Sequence, residues 1–240
     1  MRNTSTENPG EKKGGVERPV AAAERTLQIL DAFATHQQPL SLGELSEATG
    51  LFKSVIVRYM ISFEKLSYAR KLPDGRYQMG TKAVQLASAF EKSLDERVAI
   101  ENCLWHLVAA TGESAFFYIC DNGHRLCLFG ADSPQSLRVS QKIGVSIPLD
   151  ETSISRVLKA FDRTLDPGEG YNDDMVHYSI GVFDPLTASI SAPVFGRRGR
   201  FVGALSVSGP IQRFDAQKPG NLEILAEAAR RLSVELGFAA

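Results

Sequence analysis

Residues 41–79, SLGELSEATGLFKSVIVRYMISFEKLSYARKLPDGRYQM, contain two short helical patterns joined by a glycine turn and followed by a hairpin pattern. Ser41 and Glu44 have the spacing of a capping box, in which each side chain accepts a hydrogen bond from the other residue's amide, so a helix is expected to begin there. Gly50 can take the left-handed backbone conformation that ends this helix. A second helix is expected over residues 52–66, and two helices joined across such a turn are typical of a helix-turn-helix.

The hairpin pattern that follows predicts a wing. Residues 68–72 and 76–79 have the character of two short strands, because the Asp74-Gly75 pair between them favours the positive backbone angles of a tight loop. Three basic side chains stand on its arms, where they can meet backbone phosphates or a minor groove: Arg70, Lys71 and Arg76. The alternative is that they are ordinary solvated charges. Beside a helix-turn-helix, we prefer the DNA-contacting interpretation.

The segments on either side of this core define the domain organisation. A disordered tail is expected at residues 1–16, since a segment with almost no apolar residues cannot offset the entropy of ordering. Helical spacing of the apolar residues after Pro19 predicts a first helix that ends near His36. The overall class is α+β, with a winged helix-turn-helix over residues 17–80, a linker helix over 81–94 and an effector-binding domain over 95–240.

The composition is that of a globular protein, with 43% hydrophobic and 23% charged residues. A net charge of −1 argues against a protein that coats nucleic acid non-specifically, but it is compatible with a local basic face. Cys103, Cys120 and Cys127 have neither zinc-finger nor disulfide-framework spacing, so reduced buried thiols, no metal and no cofactor are expected. The sequence shows no membrane-spanning run and no signal peptide, so a cytoplasmic location without membrane contact is expected.

Three stretches of the sequence resemble the IclR family of bacterial regulators. ERTLQILDAFATHQQPLSLGELSEATGLFKSVIVRYMISFEKLSYARKLPDGRYQMG, residues 24–80, is similar to the family's DNA-binding domain. GVSIPLDETSISRVLKAF, residues 144–161, and ISAPVFGRRGRFVGALSVSGPIQRF, residues 190–214, are similar to its effector-domain motifs. The resemblance implies a winged helix-turn-helix, a dimerising linker helix and a GAF-like effector-binding domain. It also implies a homodimer or homotetramer that binds a palindromic double-stranded DNA operator under the control of a small-molecule effector.

The second helix of the helix-turn-helix supplies the predicted base contacts. A helix with exposed polar residues can enter the major groove with its first turn toward base edges. The candidate residues on this helix are Lys53, Ser54, Val55, Val57, Arg58 and Ser62. Arg58 is the preferred base or phosphate contact. The resemblance implies polar side chains at positions 55 and 57, and the two valines found there can contact thymine methyl groups but cannot form hydrogen bonds.

The effector site implied by the resemblance lies between the sheet and the helix that follows Pro148. Backbone amides at a helix N-terminus form an anion site, and those of Thr152, Ser153 and Ile154 are in the matching place. The other residues matched to the family's ligand contacts are Ser189, Ser206, Ser208 and, over a poorly aligned insertion, Asp173 or Asp174. The alternative for each serine is an ordinary strand or turn hydroxyl. Phe117 and Phe129, near the first hairpin of this domain, are candidates to line an apolar cavity, with core packing as the alternative.

Two acidic residues depart from the family pattern. Asp150 and Glu151 stand just before the effector helix, where two carboxylates would either neutralise the positive end of the helix dipole or repel an anion from it. This favours a neutral aromatic or otherwise weakly charged effector over a small dicarboxylate. In the alternative interpretation both acids cap the helix or face solvent, and the amides of Ser153 and Ile154 stay free for a carboxylate.

Two other classes of function compete with a DNA-binding regulator. Asp173, Asp174 and His177 form a cluster that could bind metal or act in acid–base catalysis, but no nucleophile elbow, phosphate loop or zinc helix accompanies it. An interaction adaptor that has lost DNA binding is suggested only by Val55 and Val57. A regulator is therefore the preferred prediction, and an enzyme is not expected.

Overall fold

The computed structural model describes residues 19–36, 38–92, 96–161 and 172–239, without the side chains of residues 91, 92 and 173. The chain divides into two compact units that meet between residues 83 and 84. The predicted tail at residues 1–16 lies outside the described residues.

The first unit is a three-helix domain with a β-hairpin. Its elements are α1 (Ala21–His36), α2 (Leu42–Thr49), α3 (Lys53–Lys65), β1 (Ala69–Lys71) and β2 (Tyr77–Met79). One apolar side chain from α1, one from α2 and two from α3 are fully buried together, namely Ile29, Leu45, Ile56 and Met60. The helices are therefore held by a shared core and not by propensity alone.

Local signals set the start and end of α2 as the sequence predicts. The Ser41 amide donates to Glu44 Oε2 at 2.7 Å, and the Glu44 amide donates to Ser41 Oγ at 3.2 Å, which completes the capping box. Gly50 ends the helix with a φ of 70°, in the left-handed region that favours glycine. The helix-turn-helix is thus fixed at its turn by hydrogen bonds and backbone freedom.

The wing is tied back to the chain that enters α2. The Leu40 amide donates to the Tyr77 carbonyl at 2.8 Å, and the Tyr77 amide donates to the Leu40 carbonyl at 2.8 Å. Leu40 therefore forms an antiparallel bridge with β2, and both side chains are buried. The hairpin is anchored at its base by this bridge.

The second unit is built around one antiparallel sheet of six strands, in the order β5-β4-β3-β8-β7-β6. The strands are β3 (Ser114–Asp121), β4 (His124–Ala131), β5 (Ser146–Pro148), β6 (His177–Ile180), β7 (Thr187–Phe195) and β8 (Phe201–Pro210). The helices are α4 (Lys82–Lys92), which begins at the end of the first unit, then α5 (Arg97–Thr111), α6 (Ser153–Phe161) and α7 (Pro219–Glu235). The α+β class predicted for the chain is confirmed.

The two faces of the sheet are covered by different helices. Leu107 of α5 and Leu225 of α7 pack with Phe117 of β3 on one face. Val157 of α6 packs with Phe116 of β3 on the other face, as the alternation of side chains along a strand requires. The α6 face holds the cavity described below.

Candidate DNA-reading face and candidate ligand cavity

One side of α3 is available to a partner. Ile56, Met60 and Phe63 bury the opposite side of the helix. Of the predicted contacts, the exposed residues are Lys53, Ser54, Arg58 and Ser62, whereas Val55 and Val57 are half-buried. The valines were expected to be exposed, but they flank the buried stripe at about 100° from its centre, because successive residues of a helix are about 100° apart.

The structure adds two exposed residues, Ile61 and Lys65, to the predicted contacts on this helix. Ser54, Arg58, Ile61 and Lys65 recur at positions i, i+4, i+7 and i+11 and form what we call the α3 face. The Ile61 side chain is 62% exposed, between two basic residues. The sequence carried this signal, since these positions lie opposite the apolar stripe of the same helix.

The three basic side chains of the wing are not equivalent. Arg76 forms a hydrogen-bonded ion pair with Asp74, with Nη2 2.7 Å from Oδ2. The hydrogen bond to Asp74 raises the pKa of Arg76. Within the described part of the chain, Arg70 and Lys71 form no ion pair, and Lys71 Nζ lies 5.7 Å from the centre of the Tyr77 ring. The wing therefore presents the net positive charge of Arg70 and Lys71.

A cavity of about 370 Å³ lies where α6 begins, beside β7 and β8. We call it the α6 cavity. Its wall includes five of the predicted effector residues: Thr152, Ile154, Ser189, Ser206 and Ser208. Ser153 lies directly behind the wall and is fully buried. The backbone of Asp173 is in a short 3-10 helix, but its side chain lies outside the described set.

Phe117 and Phe129 do not line this cavity. Their rings are 6.4 Å apart within the core beneath α5 and α7, on the opposite face of the sheet. Tyr118, the neighbour of Phe117, faces the α6 cavity instead. Burial raises the pKa of Tyr118 above its ordinary value, so its hydroxyl remains neutral in the cavity wall.

A buried arginine in the cavity wall was not identified from the sequence. Arg125 of β4 is 5% exposed, and its Nη2 lies 3.1 Å from Asp150 Oδ2. Its Nη1 also contacts Asp150, and it donates to the hydroxyls of Thr152 and Ser155. The guanidinium carbon lies 5.1 Å from the centre of the Phe183 ring. Strand alternation was the available signal, because Arg125 has the same parity as the buried Cys127, which packs on the α6 face of the sheet.

The two acidic residues before α6 lie outside the cavity wall. Asp150 accepts a hydrogen bond from the Thr152 amide at 3.0 Å and is paired with Arg125. Burial alone raises the pKa of Asp150, but hydrogen bonds from Thr152 and Ser155 outweigh burial and lower this pKa. Glu151 is 78% exposed and pairs with Lys159 at 2.9 Å. Both acids are therefore paired with cations, which weakens the repulsion of an anion that was expected from them.

The alternative interpretation of these acids is correct only in part. Asp150 does cap the start of α6, as that interpretation requires. However, the Ser153 amide is not free for a ligand, because it donates to Ser179 Oγ at 3.0 Å. An anion in the cavity therefore faces Arg125 and Ile154, which line the wall. It receives no hydrogen bond from the Ser153 amide, which is already used.

The cluster considered for catalysis gains no support from the geometry. In residues 19–36, 38–92, 96–161 and 172–239, no three histidine, cysteine or acidic side chains are placed to hold a metal ion. Burial, and secondarily Arg156, lowers the pKa of His177. The three cysteines are free thiols, and burial raises the pKa of Cys127 to about 12 and that of Cys103 to about 11. Thiols with such values stay protonated and are poor nucleophiles.

Two family models match the chain. The IclR helix-turn-helix domain matches residues 22–73, and the bacterial transcriptional regulator IclR C-terminal domain matches residues 185–234. The HTH-type transcriptional regulator XynR of Escherichia coli strain K12 is 25% identical over 92% of this chain and 99% of its own length. These relatives are regulators and not enzymes.

Solved structures of similar proteins have the same two-domain architecture. Pseudomonas aeruginosa HmgR is 26% identical, with 91% of this chain and all of its own length covered, at a TM-score of 0.72. An IclR homolog from Microbacterium hydrocarbonoxydans, complexed with 4-hydroxybenzoate, is 15% identical and superposes with a TM-score of 0.75 over 90% of this chain and 99% of its own. In the described ranges of this chain, no helix has both the length and the apolar character needed to cross a membrane.

Proposed function

The chain belongs to the IclR family of bacterial transcriptional regulators, and on this premise we propose that it binds a double-stranded DNA operator under the control of a small molecule held in the α6 cavity. The α6 cavity is the observation that carries the proposal. Its volume of about 370 Å³ and its mixed polar and aromatic wall are typical of sites for small molecules. We also propose that the protein acts in the cytoplasm, because the family consists of bacterial DNA-binding regulators.

We propose that the effector is an aromatic or carboxylate metabolite. Phe183 and Tyr118 supply aromatic surface to the cavity wall. Arg125 supplies a guanidinium group, and its counter-ion Asp150 does not line the cavity, so the cation is nearer to a ligand than the anion is. The 4-hydroxybenzoate bound by the Microbacterium homolog combines both chemical features.

We propose that the α3 face and the wing contact the operator. The α3 face and its neighbours Lys53, Val57 and Ser62 are directed to base edges, and Arg70 and Lys71 to phosphates. Val55 and Val57 keep only part of their surface for thymine methyl groups, because both are half-buried. An adaptor without DNA binding was suggested by these valines alone, and the exposed Arg58 and Lys65 beside them favour a DNA reader.

Arg58→Ala is expected to weaken operator binding by about 1–3 kcal/mol, the cost of one lost base contact or strong phosphate contact. Arg58 is exposed on α3 and forms no ion pair among the described residues, so its removal should leave the free energy of unfolding nearly unchanged. Gel shifts with the operator, recovered by pull-down from genomic DNA, measure the loss. Arg198→Ala, in an exposed loop of the second unit, is the control. Equal operator affinity of both variants contradicts this assignment.

We also propose that the protein is a homodimer or homotetramer, as a palindromic operator requires. Val84 and Leu86 of α4 are 71% and 53% exposed, so apolar surface on this helix is available to a second copy of the chain. Light scattering at micromolar concentration is expected to give the mass of a dimer or tetramer, and Leu86→Glu to shift it toward a monomer. Lys142→Glu, on an exposed surface, should not. A monomeric parent protein contradicts the proposal.

A further inference from the structure

Five serine hydroxyls form a continuous chain along the sheet wall of the α6 cavity. Ser179 Oγ lies 2.9 Å from Ser189 Oγ, and Ser189 Oγ lies 2.8 Å from Ser153 Oγ. Ser153 Oγ lies 2.9 Å from Ser191 Oγ, which lies 3.1 Å from Ser206 Oγ. Ser189 and Ser206 line the cavity, whereas Ser191 is fully buried behind them.

The chain of hydroxyls ends on an atom that can only accept. Ser206 donates to the Ile190 carbonyl at 3.2 Å, so the single hydrogen of Ser206 is used there. Ser191 must therefore be the donor in its contact with Ser206, and its own hydrogen is used as well. At the other end, Ser179 accepts from the Ser153 amide at 3.0 Å. The carbonyl of Ile190 thus sets the direction of the chain.

The direction of the remaining bonds follows by counting hydrogens. A serine hydroxyl has one hydrogen and two lone pairs. Since the hydrogen of Ser191 is used, Ser153 donates to Ser191; Ser189 then donates to Ser153. Ser179 finally donates to Ser189. Five hydroxyl hydrogens make five hydrogen bonds, and none is left for a ligand.

Three other hydroxyls of the cavity wall have also committed their hydrogens. Thr152 donates to Asp150 Oδ1 at 2.5 Å. Thr187 donates to the Asp184 carbonyl at 3.1 Å, and Ser140 donates to Asp132 at 3.1 Å. Toward the cavity these side chains present lone pairs. Hydroxyl side chains usually adapt as donors or acceptors, but in these three side chains the existing hydrogen bonds remove that freedom.

We propose that the α6 cavity selects a hydroxylated effector, with at least one O–H group of the ligand donating to Ser189 or Ser206. This inference rests on the proposed function of the cavity. A carbonyl, ether or carboxylate oxygen placed against these serines meets lone pairs and can gain a hydrogen only by breaking a bond of the chain. A buried acceptor left without a donor costs binding affinity, so analogues without the hydroxyl are rejected.

Ser191→Ala separates this inference from simple contact with the ligand. Ser191 does not line the cavity, but its loss divides the chain into Ser206 and a group of three serines. The remaining three hydroxyls, of Ser153, Ser189 and Ser179, are joined by two hydrogen bonds and so have one spare hydrogen. Once Ser153 turns to donate to Ser189, Ser189 can donate its own hydrogen to a ligand. The substitution should therefore relax the choice between donor and acceptor ligands.

Neutron diffraction from deuterated crystals of the full chain tests the order of the hydrogens directly and does not depend on regulation. The expected nuclear density places the deuterium of Ser189 toward Ser153 and that of Ser206 toward the Ile190 carbonyl. Deuterium of either serine directed into the cavity overturns the inference. Such a result leaves the proposed regulatory function intact, because operator release by an effector is measured separately in a gel shift.

Calorimetry with matched probes tests the selectivity. The probes are 4-hydroxybenzoate with 4-fluorobenzoate, and 2-hydroxy acids with the corresponding 2-oxo acids of equal heavy-atom number. The parent protein is expected to bind the hydroxylated member of a pair at least about tenfold more tightly, as a lost hydrogen bond in a buried site implies. Ser191→Ala should bring the 2-oxo acid within about threefold of its partner.

Ser233→Ala is the matched control, because Ser233 is also fully buried and hydrogen-bonded but lies outside the cavity wall. It is expected to keep the selectivity of the parent protein. The inference is overturned when the parent binds the oxo member as tightly as the hydroxy member, or when Ser191→Ala and Ser233→Ala give the same selectivity ratio.

Discussion

Replacing Arg125 with methionine is expected to lower the free energy of unfolding of the second unit by about 3 kcal/mol and to abolish binding of carboxylate effectors. Removal of one partner of a buried ion pair typically costs about 3–5 kcal/mol, because the other partner keeps its charge without compensation. Asp150 is about one-third exposed, with 34% of its side chain accessible, so the low end of that range applies. Methionine preserves most of the apolar volume, which leaves the guanidinium group as the main change.

The measurement is a double-mutant cycle of Arg125→Met and Asp150→Asn, followed by chemical unfolding. Trp105 is the only tryptophan of the chain and lies in α5, so its fluorescence reports on the second unit alone. We expect a coupling free energy of at least about 1 kcal/mol between the two substitutions. Arg138→Met is the control, because Arg138 forms an exposed ion pair with Asp132 and should cost less than about 1 kcal/mol. Similar losses for Arg125→Met and Arg138→Met contradict the assignment.

The joint replacement Arg70→Gln and Lys71→Gln is expected to weaken binding to every DNA sequence by a similar factor, on the order of 100-fold at low salt. Contacts to phosphates release counter-ions, and each contact contributes about 0.9 to the slope of log K against log salt concentration. Loss of two contacts should therefore flatten the slope by about 2 for each protomer. The effect of Arg58→Ala differs, since a base contact changes the preference among sequences.

Fluorescence anisotropy over a range of salt concentrations, with the operator and a scrambled duplex, measures both quantities. Arg76→Gln is the internal comparison in the same wing. Asp74 already compensates the charge of Arg76, so this variant should change the slope by less than either partner in the double replacement. An unchanged slope after loss of Arg70 and Lys71 removes the wing from the DNA interface.

The DNA-binding domain was predictable because its signals are local. The capping box of Ser41 and Glu44 and the left-handed Gly50 act within a few residues, so they can be recognised without knowledge of the rest of the chain. The exposure of Val55 and Val57 was less predictable. It depends on how far the neighbouring helices spread around α3, and periodicity gives only the centre of the buried stripe.

The cavity was predictable in its place but not in its electrostatics. Strand alternation shows that Phe117 and Tyr118 face opposite sides of the sheet, but only the packing of α6 decides which side holds the cavity. Asp150 was assigned a repulsive role because its partner Arg125 is 25 positions away in the sequence, on β4. A long-range ion pair of this kind compensates the charge that Asp150 would otherwise present to a ligand. The residues next to Asp150 in the sequence do not indicate this pair.

The bridge between Leu40 and Tyr77 has a consequence for how the operator can be released. Because the hairpin is hydrogen-bonded in both directions to the segment that enters α2, we expect the wing and the helix-turn-helix to move together. In the proposed complex, the distance between the bases contacted by α3 and the phosphates contacted by the wing should therefore change little within a protomer. In the proposed dimer, we therefore expect an effector to release DNA by changing the spacing between the two DNA-binding domains along the double helix, and not by folding the wing away.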